Sequence, residues 1–353
     1  MKILFLPNFR VTKLPVDDEG IRDANRYVSA DAYWFFRYWP ECDVVVLDNV
    51  APAGIRFVES KLKLYWHQSL KAAVKSNEFD LLVSHSYNSG MVLALLRSLA
   101  GARIPPLLVI DVGCLNGGRY IPWEIWVLRY SLRSVGGLAY HARIQEAFYA
   151  RNFPEIPRRY VPFGVDTEFF RPLRRPSTQD FALSIGYAKR DYATLIRAWG
   201  GIDFPLRIVG RRSLPGRPGP SVESMPPVRI DILRELIHDA RLVLLPIADD
   251  PYSTGQTTLL QCMAMGKPII VTDVPGIRDY VDNGSTAVVV PPKDSRALHE
   301  AADELLKSEA AASRIGAMAL DVVRERYTES LMARSLFGFA KSVKESRPSV
   351  RGR

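Results

Sequence analysis

Residues Asp249 to Pro268 read DDPYSTGQTTLLQCMAMGKP, and this stretch decides the fold. The run before it, LVLLPI (Leu242 to Ile247), is short, continuous and apolar, the signature of a buried strand. A polar loop follows, in which Ser253, Thr254, Gly255, Gln256, Thr257 and Thr258 are consecutive. A helix then opens with Leu259, Leu260, Met263 and Ala264 on one face. Gly266 and Pro268 end it, as glycine just past a helix and proline a step later commonly do. A helix N-terminus carries unpaired N–H groups and about half a positive charge, so this layout suits a phosphate. The same residues also read as a hydroxyl-rich N-cap without a ligand. The segment alone does not separate the two readings.

The chain has 353 residues, which predicts two domains rather than one core. A hydrophobic content of 47% is enough to fill them. No run approaches the ~18 consecutive apolar residues of a membrane span. MKILFLPNF at the N-terminus is interrupted by Pro7 and Asn8 and reads as a first strand rather than a signal peptide. Cys42, Cys114 and Cys262 are far apart and form no metal-binding spacing, so no metal site is expected and a reducing cytoplasm is. The net charge of +9 favours an anionic partner such as a nucleotide phosphate or an anionic lipid surface. Nucleic acid is not expected, because zinc-finger spacing, aromatic RNA-binding runs and long basic blocks are lacking.

Outward from the opening stretch, strands and helices alternate along the chain. KILFLP (Lys2 to Pro7), DVVVLD (Asp43 to Asp48), DLLVSH (Asp80 to His85), PLLVID (Pro106 to Asp111) and GLAYH (Gly137 to His141) read as strands. Helical patterns lie between them at Ala24 to Tyr38, Val58 to Ser76, Gly90 to Ala100, Trp123 to Ser134 and Ile144 to Asn152. FRPLRRPSTQD (Phe170 to Asp180) is rich in proline and charge and reads as a linker. The alternation then restarts with FALSIG (Phe181 to Gly186), LRIVG (Leu206 to Gly210), LVLLPI, PIIVT (Pro268 to Thr272) and TAVVVP (Thr286 to Pro291). Arg211 to Pro227 reads as one long loop. Such alternation predicts parallel sheets. The expected domains are 1–169, a linker 170–180, 181–330, and a C-terminal helix and basic tail 331–353.

Several separated segments, in this order, resemble one family. VPFGVDTEFFRP (Val161 to Pro172), SIGYAKRDYATLIRAW (Ser184 to Trp199), LLQCMAMGKPIIVT, VPGIRDYVDNG and TAVVVPPKD are similar to motifs of the group 1 glycosyltransferases. His85, ending DLLVSH, matches the histidine that ends a family strand. The resemblance implies the α/β GT-B architecture, two Rossmann-like, doubly wound parallel-sheet domains facing a cleft. It also implies transfer of a sugar from a UDP-, GDP- or ADP-sugar to a hydroxyl, with retention and without a metal or further cofactor. The acceptor would be a carbohydrate, a lipid-linked or a small hydroxyl compound.

The resemblance places the donor diphosphate near Gly186, Tyr187, Lys189 and Arg190 and at the loop and helix from Ser253 to Thr258. Cations and preorganised donors stabilise a leaving diphosphate; Lys189 and Arg190 also read as a solvated helix start. The chain departs from the family here. Ser253 and Gln261 stand where the family has two glutamates eight positions apart. Gln261 retains hydrogen-bonding capacity toward a ribose hydroxyl, and Asp249 or Asp250 is a candidate for the lost carboxylate. Tyr187 replaces the diphosphate arginine, whose charge Arg190, or Arg211 with Arg212, is positioned in sequence to supply. PNFRV (Pro7 to Val11) replaces the N-terminal glycine loop.

On the acceptor side the candidates are Asp111, at the end of PLLVID, and His85, each as base or orienting group. Both also read as structural residues at strand ends. The basic and aromatic segment Arg119 to Arg159 is a candidate for contact with anionic lipid, or equally a helix packed inward. Two other functions remain open: a sugar-nucleotide epimerase on the same fold, and a non-catalytic nucleotide-binding relative.

Overall fold

The computed structural model describes residues 1–8, 12–13, 27–28, 34–62, 64–113, 115, 122–186, 189–210, 213–249 and 254–345. They form two compact units. Described residues up to Pro162, with those from Met332 onward, make the first; Phe163–Leu331 make the second.

The first unit is built on six parallel strands: β1 (Lys2–Pro7), β2 (Asp43–Val46), β3 (Leu81–His85), β4 (Leu107–Asp111), β5 (Gly137–Tyr140) and β6 (Arg158–Tyr160). Their order is β2-β1-β3-β4-β5-β6. β3 and β4 are buried along their whole length, because helices cover both faces of a parallel sheet. One face holds Leu4, Leu6, Leu82, Leu107 and Val109. On it lie α2 (Trp66–Lys75), α3 (Tyr87–Ala100), α4 (Pro122–Leu132) and α5 (Ile144–Asn152). The alternate residues Ile3 and Phe5 point the other way, where Phe5 meets the ring of Phe36 edge-on at 4.9 Å. A separate short parallel pair joins Thr12–Lys13 to Tyr27–Val28.

The pattern expected as one helix over Val58 to Ser76 is two, α1 (Ala53–Leu62) and α2. Glu59 is the cause. Its buried carboxylate accepts the backbone N–H of His67, in the first turn of α2, at 2.8 Å.

The second unit repeats the design with β7 (Ala182–Ile185), β8 (Leu206–Val209), β9 (Val222–Met225), β10 (Leu242–Leu245), β11 (Ile269–Thr272) and β12 (Val288–Val290). All neighbours are parallel, in the order β9-β8-β7-β10-β11-β12. Leu183, Ile185, Val243, Leu245, Ile269 and Val271 face one core layer; Ala182, Leu206, Ile208, Leu242, Leu244 and Ile270 face the other. Its helices are α6 (Tyr192–Trp199), α7 (Ile230–Asp239), α8 (Gln256–Ala264), α9 (Ser295–Lys307) and α10 (Glu309–Arg326). β9 falls inside the stretch expected to be a loop.

The proline- and charge-rich segment after Phe170 lies within the second unit, and the division falls before it. Phe169 and Phe170 are buried and pack edge to face at 5.0 Å, while Arg175 pairs with Asp239 at 2.7 Å. Aromatic anchors and that ion pair bind the segment to its own domain. The last helix, α11 (Glu329–Glu345), begins in the second unit and continues in the first. There the indole N–H of Trp39 donates to the Ala333 carbonyl at 2.9 Å. Gly164 lets the backbone lie against Thr328, with Val165 N–H donating to the Tyr327 carbonyl and Glu329 N–H to the Val165 carbonyl, both at 2.9 Å. Among the described residues, no helix is long and apolar enough to cross a membrane.

Candidate donor site and the edge of the first sheet

In the second unit the chain leaves β7 toward β8 on one side, then returns to β10 on the other. Strand order therefore reverses between β7 and β10. In open α/β sheets, ligands bind outside the carboxyl ends of strands at such a reversal. The two loops that flank it are the one from Gly186 to Asp191 and the one leading to Gly255.

Backbone bonds join these loops. Asp191 N–H donates to the Pro246 carbonyl at 2.7 Å, and Ala248 N–H to the Lys189 carbonyl at 3.0 Å. Gly186 takes φ of +131° and Lys189 of +54°. Asp191 then caps α6 by accepting from Thr194 N–H. The guanidinium of Arg190 lies across the end of β7, its Nε donating to the Ile185 carbonyl at 2.9 Å. Its Nη2 reaches Thr258 Oγ1 at 3.4 Å, in the first turn of α8. A Cβ on Gly186 would sit 2.6 Å from that Nε, so glycine is what leaves room for the charge.

α8 starts from Gly255, which has φ of +95°. Gly255 has no side chain to cap its first turn, and Arg229 gives no side-chain cap to α7, whereas Asp191, Asp294 and Ser308 cap α6, α9 and α10. The positive end of the α8 dipole lies beside Arg190. The Oγ1 of Thr254 is buried and has no hydrogen-bond partner among the described residues. Thr257 is exposed, and Gln261, one turn along the same face, is partly buried.

Other candidates are placed differently. Gln256 is buried and its amide donates to the Gly276 carbonyl at 3.0 Å, so it braces the next loop. The missing Cβ of Gly255 makes room for Ile247, a core residue, rather than for a ligand. Asp249 pairs with Lys293 at 3.0 Å on the surface. Lys189 is exposed. Tyr187, Arg211, Arg212, Asp250 and Ser253 lie outside the described residues.

In the first unit, the carboxyl edge brings Asn8, His85, Asp111 and His141 along neighbouring strands, since Pro7 is opposite His85 and Asp111 opposite Tyr140. Asp111 is fully buried. Its Oδ2 accepts from Gln145 Nε2 at 3.0 Å, from the Tyr149 hydroxyl, and from Leu115 N–H at 3.4 Å. That network holds the loop after β4. It directs the Asp111 carboxylate toward its own unit's side chains and backbone.

His85 Nδ1 lies 3.1 Å from Asn8 Oδ1. Burial, with the neighbouring His141, lowers its pKa to about 3. His141 is also buried, which lowers its pKa to about 4 although its Nδ1 donates to the Val161 carbonyl at 2.7 Å. Both imidazoles are therefore neutral at pH 7, suited to hydrogen bonding rather than to strong base action. His141 carried no role in the sequence reading. The signal was available: GLAYH ends in histidine as DLLVSH does. Among the described residues, no group of three or more His, Cys, Asp or Glu side chains is arranged to hold a metal.

Comparison with known proteins agrees with this geometry. Residues 185–308 match the model of the family described as glycosyl transferases group 1. The chain is 26% identical over 113 residues to the alpha-D-kanosaminyltransferase of Streptomyces kanamyceticus. That alignment spans 32% of this chain and only 28% of that enzyme. Among solved structures, sucrose-phosphate synthase from Thermosynechococcus elongatus superposes with a TM-score of 0.70 at 17% identity, over 97% of this chain and 99% of the other. HepE of Anabaena, solved with UDP-glucose, also gives 0.70 at 16% identity, over 97% of this chain and all of the other. The two parallel six-stranded sheets are those of the GT-B fold, and the resemblance to group 1 glycosyltransferases is shown, with residues 185–308 carrying it.

Proposed function

We propose that this chain is a nucleotide-sugar-dependent glycosyltransferase that retains anomeric configuration and needs no metal. The observation that carries the reading is the Arg190 guanidinium beside the first turn of α8, at the point where strand order reverses. As the bond from sugar C1 to the diphosphate oxygen breaks, negative charge grows on the leaving group. Arg190 and the helix N–H groups are fixed before reaction and pointed at that charge, the arrangement that lowers such barriers most. Gln261 is the candidate contact for the ribose. The acceptor hydroxyl oxygen forms the new bond to C1 while its proton passes to the departing diphosphate oxygen; within the first unit, neutral His85 is the candidate to hydrogen-bond an acceptor, with Asp111 as a candidate orienting group. HepE binds UDP-glucose on the same fold, which supports a UDP-sugar as the first donor to try. We place the reaction in the cytoplasm.

The test is a thermal-shift screen of UDP-, GDP-, ADP- and TDP-sugars, followed by nucleotide-release assays with EDTA on each hit. The expected result is stabilisation by one donor class and nucleotide release that EDTA does not abolish. A donor that binds without release would favour a non-catalytic nucleotide-binding protein, a reading to which Gln261 in place of a glutamate lends support. Inverted sugar stereochemistry without transfer would favour an epimerase. No stabilisation by any donor would contradict the proposal.

A further inference from the structure

Helix α1 is turned inside out. Glu59 is its buried residue, while Phe57, Val58 and Leu62 are exposed, Phe57 by 65% and Leu62 by 60%. α2 behaves similarly. It packs inward through Gln68, Ser69 and Ala72 and turns Leu70 and Val74 outward, Val74 by 82%. The buried polar groups are satisfied. Gln68 Nε2 donates to the Pro7 and Leu47 carbonyls, Ser69 Oγ to the Ser89 carbonyl, and Glu59 accepts from His67. The inverted pattern is therefore a stable arrangement of the fold. It leaves Phe57, Val58, Lys61 and Leu62 as one stripe on α1, and Leu70, Lys71, Val74 and Lys75 as one stripe on α2.

The charges on these helices have one sign. Arg56, Lys61, Lys71 and Lys75 are exposed, and the single acidic residue of α1, α2 and α3 is the buried Glu59. The Lys61 ammonium lies 5.7 Å from the centre of the Phe57 ring, so its aliphatic stem follows the apolar stripe while its charge stays at the surface. An amphipathic surface of protruding apolar side chains interleaved with lysines matches the headgroup boundary of an anionic bilayer, which deforms around side chains and needs no shape complement. α4, one helix of the Arg119 to Arg159 segment that reads either as a lipid contact or as a helix packed inward, exposes Trp126 but buries Leu128 and Leu132.

We propose that α1 and α2 form a docking face for an anionic lipid bilayer, with Phe57, Leu62 and Val74 entering the interface and Arg56, Lys61, Lys71 and Lys75 meeting lipid phosphates. This inference does not depend on the transfer reaction.

The full chain should be sedimented with vesicles of phosphatidylcholine alone and of phosphatidylcholine mixed with phosphatidylglycerol. Wild type should sediment with the mixed vesicles only, and less as salt rises. Phe57→Ser/Leu62→Ser/Val74→Ser should lose at least about tenfold in partitioning, and Lys61→Gln/Lys71→Gln about fivefold per residue removed. All variants should keep the wild-type thermal midpoint and nucleotide-induced stabilisation, because the changed side chains are exposed. Equal binding to neutral and anionic vesicles, no binding by wild type, or unchanged binding by both variants would overturn the proposal. A wild-type oligomer that the triple variant converts to monomer, with no lipid binding, would overturn it by assigning the face to a second copy.

Discussion

Arg190 and Thr258 are 68 positions apart, yet the guanidinium Nη2 stands 3.4 Å from the threonine hydroxyl. The pairing joins the loop after β7 to the first turn of α8. It places a cation at the positive end of a helix, an arrangement that favours an anion beside the two. The β7–β10 strand reversal leads to the same place by topology alone. Charge and topology therefore both support the proposed anion site.

Gly186 is the support of that arrangement. A Cβ there would meet the Arg190 Nε at 2.6 Å, and φ of +131° is a conformation that side chains rarely adopt. Gly186→Ala should move the guanidinium and weaken nucleoside diphosphate binding by roughly tenfold or more. It should also cost about 1–3 kcal/mol of stability. Titration calorimetry and urea unfolding read the two effects separately. Full affinity in a destabilised variant would show that Gly186 serves the backbone alone.

The buried histidines predict an acid-sensitive first unit. Their folded pKa values, about 3 for His85 and about 4 for His141, lie below the unfolded value of 6.5. Between those limits the unfolded chain binds more protons. Stability is thus retained above pH 6.5 and falls as pH drops toward 4, by up to about 1.4 kcal/mol per pH unit for each histidine. Urea midpoints at pH 7 and pH 5 should drop less in His141→Gln, whose amide can still donate to Val161. Parallel curves for the two proteins would contradict the assignment.

Asp111 and Tyr149 should be energetically coupled. Asp111→Asn removes the charge that accepts from both Tyr149 and Gln145 and should cost about 1–3 kcal/mol. Tyr149→Phe should cost less in the Asp111→Asn background than in wild type. If Asp111 positions the acceptor loop, Asp111→Asn should also slow transfer while nucleotide affinity holds. Additive stability losses would dissolve the pair.

Most of the architecture was legible because strands buried on both faces, such as β4 and β10, read as unbroken apolar runs. β9 was not. It is an edge strand, VESM, whose Glu223 pairs with Arg207 at the surface, so it carries neither an apolar run nor alternation. The break between α1 and α2 rests on the side chain of Glu59, which periodicity does not report. At the candidate sites, residue type was readable and orientation was not. Gln256 is directed by Gly276, Asp111 by Gln145 and Tyr149, and His141 by Val161, all partners distant or invisible to spacing.

The most direct measurement is calorimetry of nucleoside diphosphate binding, using the base selected by the donor screen, to wild type, Arg190→Ala and Thr257→Ala/Thr258→Ala. Removing a charged phosphate contact costs on the order of 1.5–3 kcal/mol, so Arg190→Ala should bind roughly tenfold to a hundredfold more weakly. The double threonine variant should also weaken binding, with EDTA changing neither result. Unchanged affinity in both variants, each shown to be folded, would contradict a diphosphate site at Arg190 and α8.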